Sequence, residues 1–335
     1  MAVDLQGQLR GRPEGREMFR KDTLMSKRKN LVRLFITTLE LLSLLIILAL
    51  IPVRSASAQS SRAMSAPEMD VVKVDTSLVT VNVSVTKGNK RRPGLKPEDF
   101  QILDQGRPVT PEFFDGEGPQ SIVFVVDISS SMKGDKWKNL TRGLNDFLQK
   151  GREGSDYSLI VFNEKPRLVV SGVNAEQLWQ SFKSLKPNGD TALYDGLLLG
   201  LDTLEHAPQR HRAIVLLSDG EDNSSQTELA QVQQQTLRHH ATIYPIGVLP
   251  DQRWPEQWKG RKLLNELAAA TGGIVLFPEA RKIPDVLEVI AADLKSQYSL
   301  GYYPPDKTAG WRNIQITVPN SQRLNLRYQA RYLMR

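Results

Sequence analysis

The amino-acid sequence predicts an α/β protein with a doubly wound, mostly parallel sheet flanked by helices, plus a small β-sandwich formed by the N- and C-terminal flanks. Three observations carry this prediction. Four apolar runs, 122–126, 159–162, 214–217 and 274–277, are continuous, as parallel strands covered on both faces are. Helical patterns fall between and after them, at 137–150, 175–185, 193–207, 227–240, 262–270 and 285–297, and strand alternating with helix means a doubly wound sheet. By contrast, Val79, Val81, Val83 and Val85 alternate with Thr80, Asn82, Ser84 and Thr86, and residues 314–318 and 324–332 alternate in the same way, which reads as strands with one wet face.

Taken in order, the chain of 335 residues opens on residues 1–58, read as a leader. Residues 41–53 are aliphatic apart from Ser43 and Pro52, follow Lys27-Arg28-Lys29 and precede Ser55-Ala56-Ser57-Ala58, the layout of a secretory signal cleaved after Ala58. The alternative is an uncleaved membrane anchor reaching back to Leu31, with Arg33 and Glu40 inside it. Residues 59–67 form a linker, and 68–118 a β-rich flank with a hairpin at 103–107, where Gly106 suits a positive φ. Asp115-Gly116-Glu117-Gly118-Pro119 marks the border of the α/β domain, 119–297, and residues 298–335 form a second β-rich flank. Each flank alone has few one-sided strands, so the economical arrangement pairs 68–118 with 298–335. Two independent flaps on the central domain are the other possibility.

Charge and cysteine content narrow the partner and compartment. The net charge is +7, but the leader holds ten Lys and Arg against five Asp and Glu, so only +2 remains for the rest. Bulk charge gives a nucleic-acid partner no support, and the basic residues of the last thirty read as the solvated face of strands. The chain has no cysteine, so an exported fold must rest on core packing, with or without a metal, and not on disulfides.

The chemistry concentrates where an apolar strand ends. In an open parallel sheet, loops converge beyond the carboxyl ends of the strands. Asp127, Ser129 and Ser131 lie there on the first buried run. Gly189-Asp190-Thr191 and Ser218-Asp219-Gly220 are expected to reach the same place. Two carboxylates and three hydroxyls, without sulfur or imidazole, suit Mg²⁺ or Mn²⁺, which take about six oxygen ligands at roughly 2.0–2.1 Å. With only two protein charges against two, such an ion stays electrophilic and open to an outside carboxylate. The bland alternative is that Ser and Asp here cap helices. Asp195, Glu221 and Asp222 are read as loop-stabilising or solvated residues.

D-x-S-x-S at Asp127, Ser129 and Ser131, followed in order by Thr191 and Asp219, resembles the von Willebrand factor type A domain. The resemblance covers roughly residues 119–297. It implies a metal-ion-dependent adhesion site in which the two serines and the threonine contact the metal and the acids bind it directly or through water. The stretches "GLKPEDFQILDQGRPV" and "LKSQYSLGYYPPD" resemble the VWFA-related Acidobacterial domain family of exported proteins. Asp190 stands where a second glycine is common in that loop, which brings one more carboxylate toward the metal.

An enzyme is not expected. A serine hydrolase needs G-x-S-x-G and a positioned histidine. His206 is placed late in one helix, and His239 and His240 at the end of another. No G-x-x-x-x-G-K-[ST] phosphate loop occurs. Trp254 and Trp258 frame an insertion suited to packing on the sheet edge, with exposed indoles at a partner contact as the alternative. The expectation is an exported protein, periplasmic, in the cell envelope or secreted. It would bind, through Mg²⁺, a protein ligand presenting Asp or Glu, touching no nucleic acid and meeting a membrane only through an uncleaved leader. An envelope structural or assembly factor with a structural metal is the alternative reading, with a hydrolase third.

Overall fold

The computed structural model describes residues 78–88, 90–248, 255–319 and 323–334. The leader, the linker, the start of the N-terminal flank and Trp254 lie outside the described residues. Among the described residues no helix is long and apolar enough to cross a membrane.

The N-terminal flank contributes β1 (Val79–Lys87), β2 (Lys90–Arg91), β3 (Gln101–Asp104), β4 (Arg107–Val109) and β5 (Phe113–Asp115). β3 and β4 form the expected hairpin, and its two turn residues, Gln105 and Gly106, have φ of 50° and 77°, the signs a type I′ turn requires. The α/β region follows with β6 (Gln120–Asp127), α1 (Asp135–Gln149), β7 (Asp156–Phe162), β8 (Pro166–Val173), α2 (Ala175–Phe182), α3 (Leu193–Glu205), β9 (His211–Ser218), α4 (Leu229–Thr236), β10 (Thr242–Gly247), α5 (Pro255–Thr271) and α6 (Ile283–Leu294). The C-terminal flank adds β11 (Gln297–Tyr302), β12 (Gly310–Thr317), β13 (Leu324–Arg327) and β14 (Arg331–Met334).

The central sheet has the order β10-β9-β6-β7-β8, parallel throughout except for β8. Its middle strand shows why the apolar runs are continuous. Ile122, Phe124 and Val126 pack with Leu140 and Leu144 of α1 and Leu287 and Ile290 of α6. Val123 and Val125, on the other face, pack with Leu197 and Leu201 of α3 and Leu264 and Leu267 of α5. Both faces of β6 are dry, and fully burying one such side chain stabilises by roughly 1.5–3 kcal/mol.

Several elements differ from the sequence reading. Residues 274–277 make a single bridge, Ile246 to Leu276, not a strand. Leu276 N donates to Pro245 O at 3.0 Å and Gly247 N to Leu276 O at 2.8 Å. The next ladder bond would need an N–H on Pro245, which proline lacks. β8 is an antiparallel edge strand that the sequence reading omitted, because it is half-exposed and begins at Pro166. α4 ends at Thr236, so His239 and His240 lie beyond it, and His240 adopts φ of 48° as the chain turns back into β10. The alternation through 324–332 is divided between two sheets: β13 pairs with β1, and β14 with β12.

The flank strands form two antiparallel sheets, β13-β1-β11-β5 with β2 on β1, and β14-β12-β3-β4. Their apolar faces share one cluster that includes Val79, Val81, Val83, Val85, Ile102, Leu300, Ile314 and Ile316. Within it Asp104 is fully buried. It accepts from Arg312 Nε at 2.9 Å, Tyr302 Oη at 3.1 Å and Tyr332 Oη at 2.8 Å. The polar face of β1 is not wet as its alternation suggested. Asn82 and Ser84 are buried against the α/β region, Ser84 Oγ donating to Asp293 of α6 at 3.1 Å.

Candidate metal centre

β6 ends on Asp127, fully buried between its two neighbouring strands. The chain turns at once: Asp127 Oδ1 accepts from Ser129 N at 2.7 Å, a local loop-forming bond typical of Asp. A short helical turn over Ser130–Met132 then presents Ser131. The second loop is stitched to the first. Asn188 N donates to Ile128 O at 2.6 Å, Ser130 N to Gly189 O at 2.9 Å, and Gly189 N to Ser130 Oγ at 3.2 Å. Gly189 has φ of 93°, a backbone conformation that favours glycine, and the Glu164 carboxylate lies against it, 2.2 Å from where a Cβ would be. The third loop leaves β9 at Ser218, whose Oγ donates to Asp127 Oδ2 at 3.4 Å and accepts from Gly220 N at 3.0 Å. Gly220 lies against the backbone of Gly260 in α5, where a Cβ would come within 2.8 Å.

The result is a chain of oxygens. Ser129 Oγ and Ser131 Oγ are 3.0 Å apart, and Ser131 Oγ donates to Asp219 Oδ2 at 2.9 Å. Four of the five residues singled out in the sequence, Asp127, Ser129, Ser131 and Asp219, are thus joined by direct hydrogen bonds. Thr191 is buried and tied to the third loop through Asn223: its N donates to Asn223 Oδ1 at 3.0 Å, and its O accepts from Asn223 N at 3.0 Å. No hydrogen bond joins its hydroxyl to the other four among the described residues. Ser131 is exposed, so the cluster opens to solvent there.

Capping does not account for these side chains. Ser129 stands at the N-cap of the short turn without a side-chain cap bond, and the N-caps of α1 and α3 are Gly134 and Ala192. Asp195 accepts from Gln226 N and Thr227 N at 2.9 and 3.0 Å, and Asp222 Oδ1 accepts from Tyr194 N and Ser225 Oγ at 3.2 and 2.6 Å, so both brace loops. Asp190 is exposed, and among the described residues no group of three or more His, Cys, Asp or Glu is gathered to hold a metal. The expected extra carboxylate therefore does not join Asp127 and Asp219. His211 begins β9 and His240 precedes β10, at the ends of those strands opposite to Asp219. Asn188 and Asn223, which hold the loops in place, were missed in the sequence, and Ser218 was named there only as part of its loop. The only signal was the density of turn-forming residues after each strand.

Burial pushes the Asp127 carboxyl up to about 7, and the charge of Asp219 adds to the rise, against hydrogen bonds from Ser129 and Ser218. A buried acid beside a second acid is a place where positive charge is stabilising. The donor set of two carboxylates and neutral hydroxyls, all oxygen, fits a hard divalent cation and not a soft one.

Residues 122–221 match the family model of the von Willebrand factor type A domain, an interval that starts in β6 and closes just after Asp219. The chain is similar to inter-alpha-trypsin inhibitor heavy chain H2 of Sus scrofa, 25% identical over 146 residues, covering 39% of this chain and 16% of that one. It is also similar to heavy chain H3 of Homo sapiens, 29% identical over 141 residues, covering 38% and 16%. The match thus spans about a sixth of the length of these relatives. Among solved structures, a von Willebrand factor type A protein from Catenulispora acidiphila aligns with a TM-score of 0.45 and 13% identity over 78% of this chain and 74% of that one. The family match falls on the interval whose strands and loops build the oxygen cluster: this chain carries a region, residues 122–221, that matches the von Willebrand factor type A domain.

Proposed function

We propose that this protein is an exported, metal-ion-dependent protein-binding module. Asp127, Ser129, Ser131, Thr191 and Asp219 would hold Mg²⁺, with Mn²⁺ the other candidate. A divalent ion held there supplies an electrophilic position for an Asp or Glu carboxylate of the partner. The observation that carries this reading is the oxygen chain itself, drawn from separate loops at the carboxyl ends of β6 and β9 and open at Ser131.

The residues divide the work. Asp127, fixed by Ser129 N and Ser218 Oγ, supplies charge from below the surface. The serine hydroxyls supply neutral ligands that leave the net charge low, so an outside carboxylate is still attracted. Export rests on the leader pattern of residues 41–58. The reading as a structural metal is less favoured, since the three loops are already joined by the protein's own hydrogen bonds.

Affinity capture from an envelope fraction tests the proposal. Specific capture is expected in Mg²⁺ and lost both in chelator and with Asp127→Asn, while the melting temperature holds. A partner retained equally in chelator, or a melting temperature that falls sharply with it, contradicts the binding role.

A further inference from the structure

We infer that the molecule carries a second site, a cleft for a phosphate-type oxyanion, at the end of the central sheet opposite the oxygen cluster. The cleft has a volume of about 330 Å³. One wall is Glu205, Arg210, Arg212, Arg238, His239 and His240; the other comes from the flank strands, with Leu78, Val79, Leu333 and Met334. It exists only where the flanks meet the α/β region.

Its position follows from strand direction. Arg210 and Arg212 flank the first residue of β9, and residues 238–240 lead into β10, whereas Asp219 follows the last residue of β9. The eight residues of β9 separate the two sites, a span of roughly 26 Å at strand rise. One end of the sheet gathers acids and hydroxyls, the other guanidiniums.

The cations are placed but not neutralised. The guanidinium of Arg212 is fixed by carbonyls, Nε donating to Gln209 O at 3.0 Å and Nη2 to Ala207 O at 2.8 Å. Arg210 lies over the Phe113 ring, 4.5 Å from its centroid. Arg238 Nε is buried and has no hydrogen-bond partner among the described residues. No ion pair joins any of the three to a carboxylate among the described residues. Burial and the charge of Arg210 hold the Arg212 guanidinium below its ordinary range, against the pull of Glu205 and Asp156.

Such an arrangement calls for an anion from outside. Guanidiniums match the oxygens of phosphate and carboxylate in forked pairs. Three arginines outnumber the two carboxylates that act on them, Glu205 in the wall and Asp156 behind Arg212, so the cleft keeps a net positive charge that attracts an anion. The apolar wall of Leu78, Val79, Leu333 and Met334 suits an apolar substituent on that anion, which points to a phosphomonoester.

The test is a calorimetric titration of the full chain with inorganic phosphate and with phenyl phosphate, in chelator so that the oxygen cluster contributes nothing. Saturable binding of both is expected with Kd below about 1 mM, with affinity reduced at least about tenfold by Arg238→Gln and by Arg210→Gln. Arg210 is exposed, so its variant keeps the fold even where that of Arg238, which is half-buried with its Nε enclosed, does not. No saturable binding of either probe by the wild type, or an affinity unchanged in a folded Arg210→Gln variant, overturns the inference.

Discussion

The core of the central sheet and the seam where the flanks join it bury comparable strands by opposite chemistry. In the core, β6 is covered by leucines and isoleucines from four helices, and its contacts are directionless. At the seam, β1 and β11 turn polar residues inward. Asp293 of α6 accepts from Ser84 Oγ at 3.1 Å and Tyr244 Oη at 2.7 Å and is paired with Arg327. Gln297 Nε2 donates to Thr242 Oγ1 at 3.0 Å and Tyr244 Oη at 2.9 Å. Gln329 Nε2 donates to Leu237 O at 2.7 Å. Apolar packing tolerates small adjustments, whereas a buried hydrogen-bonded group that loses its partner costs about 1–3 kcal/mol. The flanks and their seam are therefore where single changes tell most.

The largest effect is expected from removing β11 to β14 by ending the chain at Ser296. Val79, Val81, Val83 and Val85 would lose the cluster they pack in. At roughly 1.5–3 kcal/mol for each side chain, the loss rivals the whole stability of a domain. Hydrogen exchange should show residues 79–109 unprotected while β6, β7 and β9 stay protected. Retained protection in β1 would break the contrast between the two regions.

Asp104→Ala comes next. It leaves the buried Arg312 without the carboxylate on its Nε, and Tyr302 and Tyr332 without their acceptor. Breaking a buried pair in this way costs about 3–5 kcal/mol. Urea unfolding should show the flank transition shifted to lower denaturant and the α/β transition little changed.

Acid should act on the seam more mildly, through His240, whose ring centroid is 5.8 Å from that of Tyr332 in β14. Burial, with His239 and Arg212 adding, pushes the His240 imidazole down to about 4. The unfolded chain then binds a proton that the folded one refuses, so this contribution is intact above about 6.5 and is lost as pH falls toward 4, a change of about 2–3 kcal/mol. Melting temperatures measured across that range should fall less steeply in His240→Asn, asparagine being tolerated at a φ of 48°. Identical slopes would remove His240 from the account.

These regions also differ in how far the sequence discloses them. The continuous runs at 122–126, 159–162 and 214–217 mark buried parallel strands, because both faces need apolar cover there. The oxygen cluster was legible for the same reason: strand ends fix where loops converge, and Asp127, Ser129, Ser131 and Asp219 are each a strand end or within a few residues of one. The seam was not legible. Thr80, Asn82 and Ser84 read as a wet face, and nothing local says that Asp293, some two hundred residues away, supplies an acceptor. The same holds for Asp104, a charge at a core position that only Arg312 and two tyrosines explain, and for Pro245, which withholds the donor that 274–277 needs to become a strand.

The smallest expected effect on stability accompanies the most direct test of the metal reading. Asp127 sits at the rim of the core, and Asp127→Asn keeps an acceptor for Ser129 N while removing the charge. Calorimetric titration of Mg²⁺ and Mn²⁺ into the full chain should show one binding event in the wild type and none in Asp127→Asn, with the two proteins melting within a few degrees of each other. No binding by the wild type at about millimolar ion, or equal binding by the variant, would contradict the assignment of Asp127, Ser129, Ser131, Thr191 and Asp219 as a metal centre.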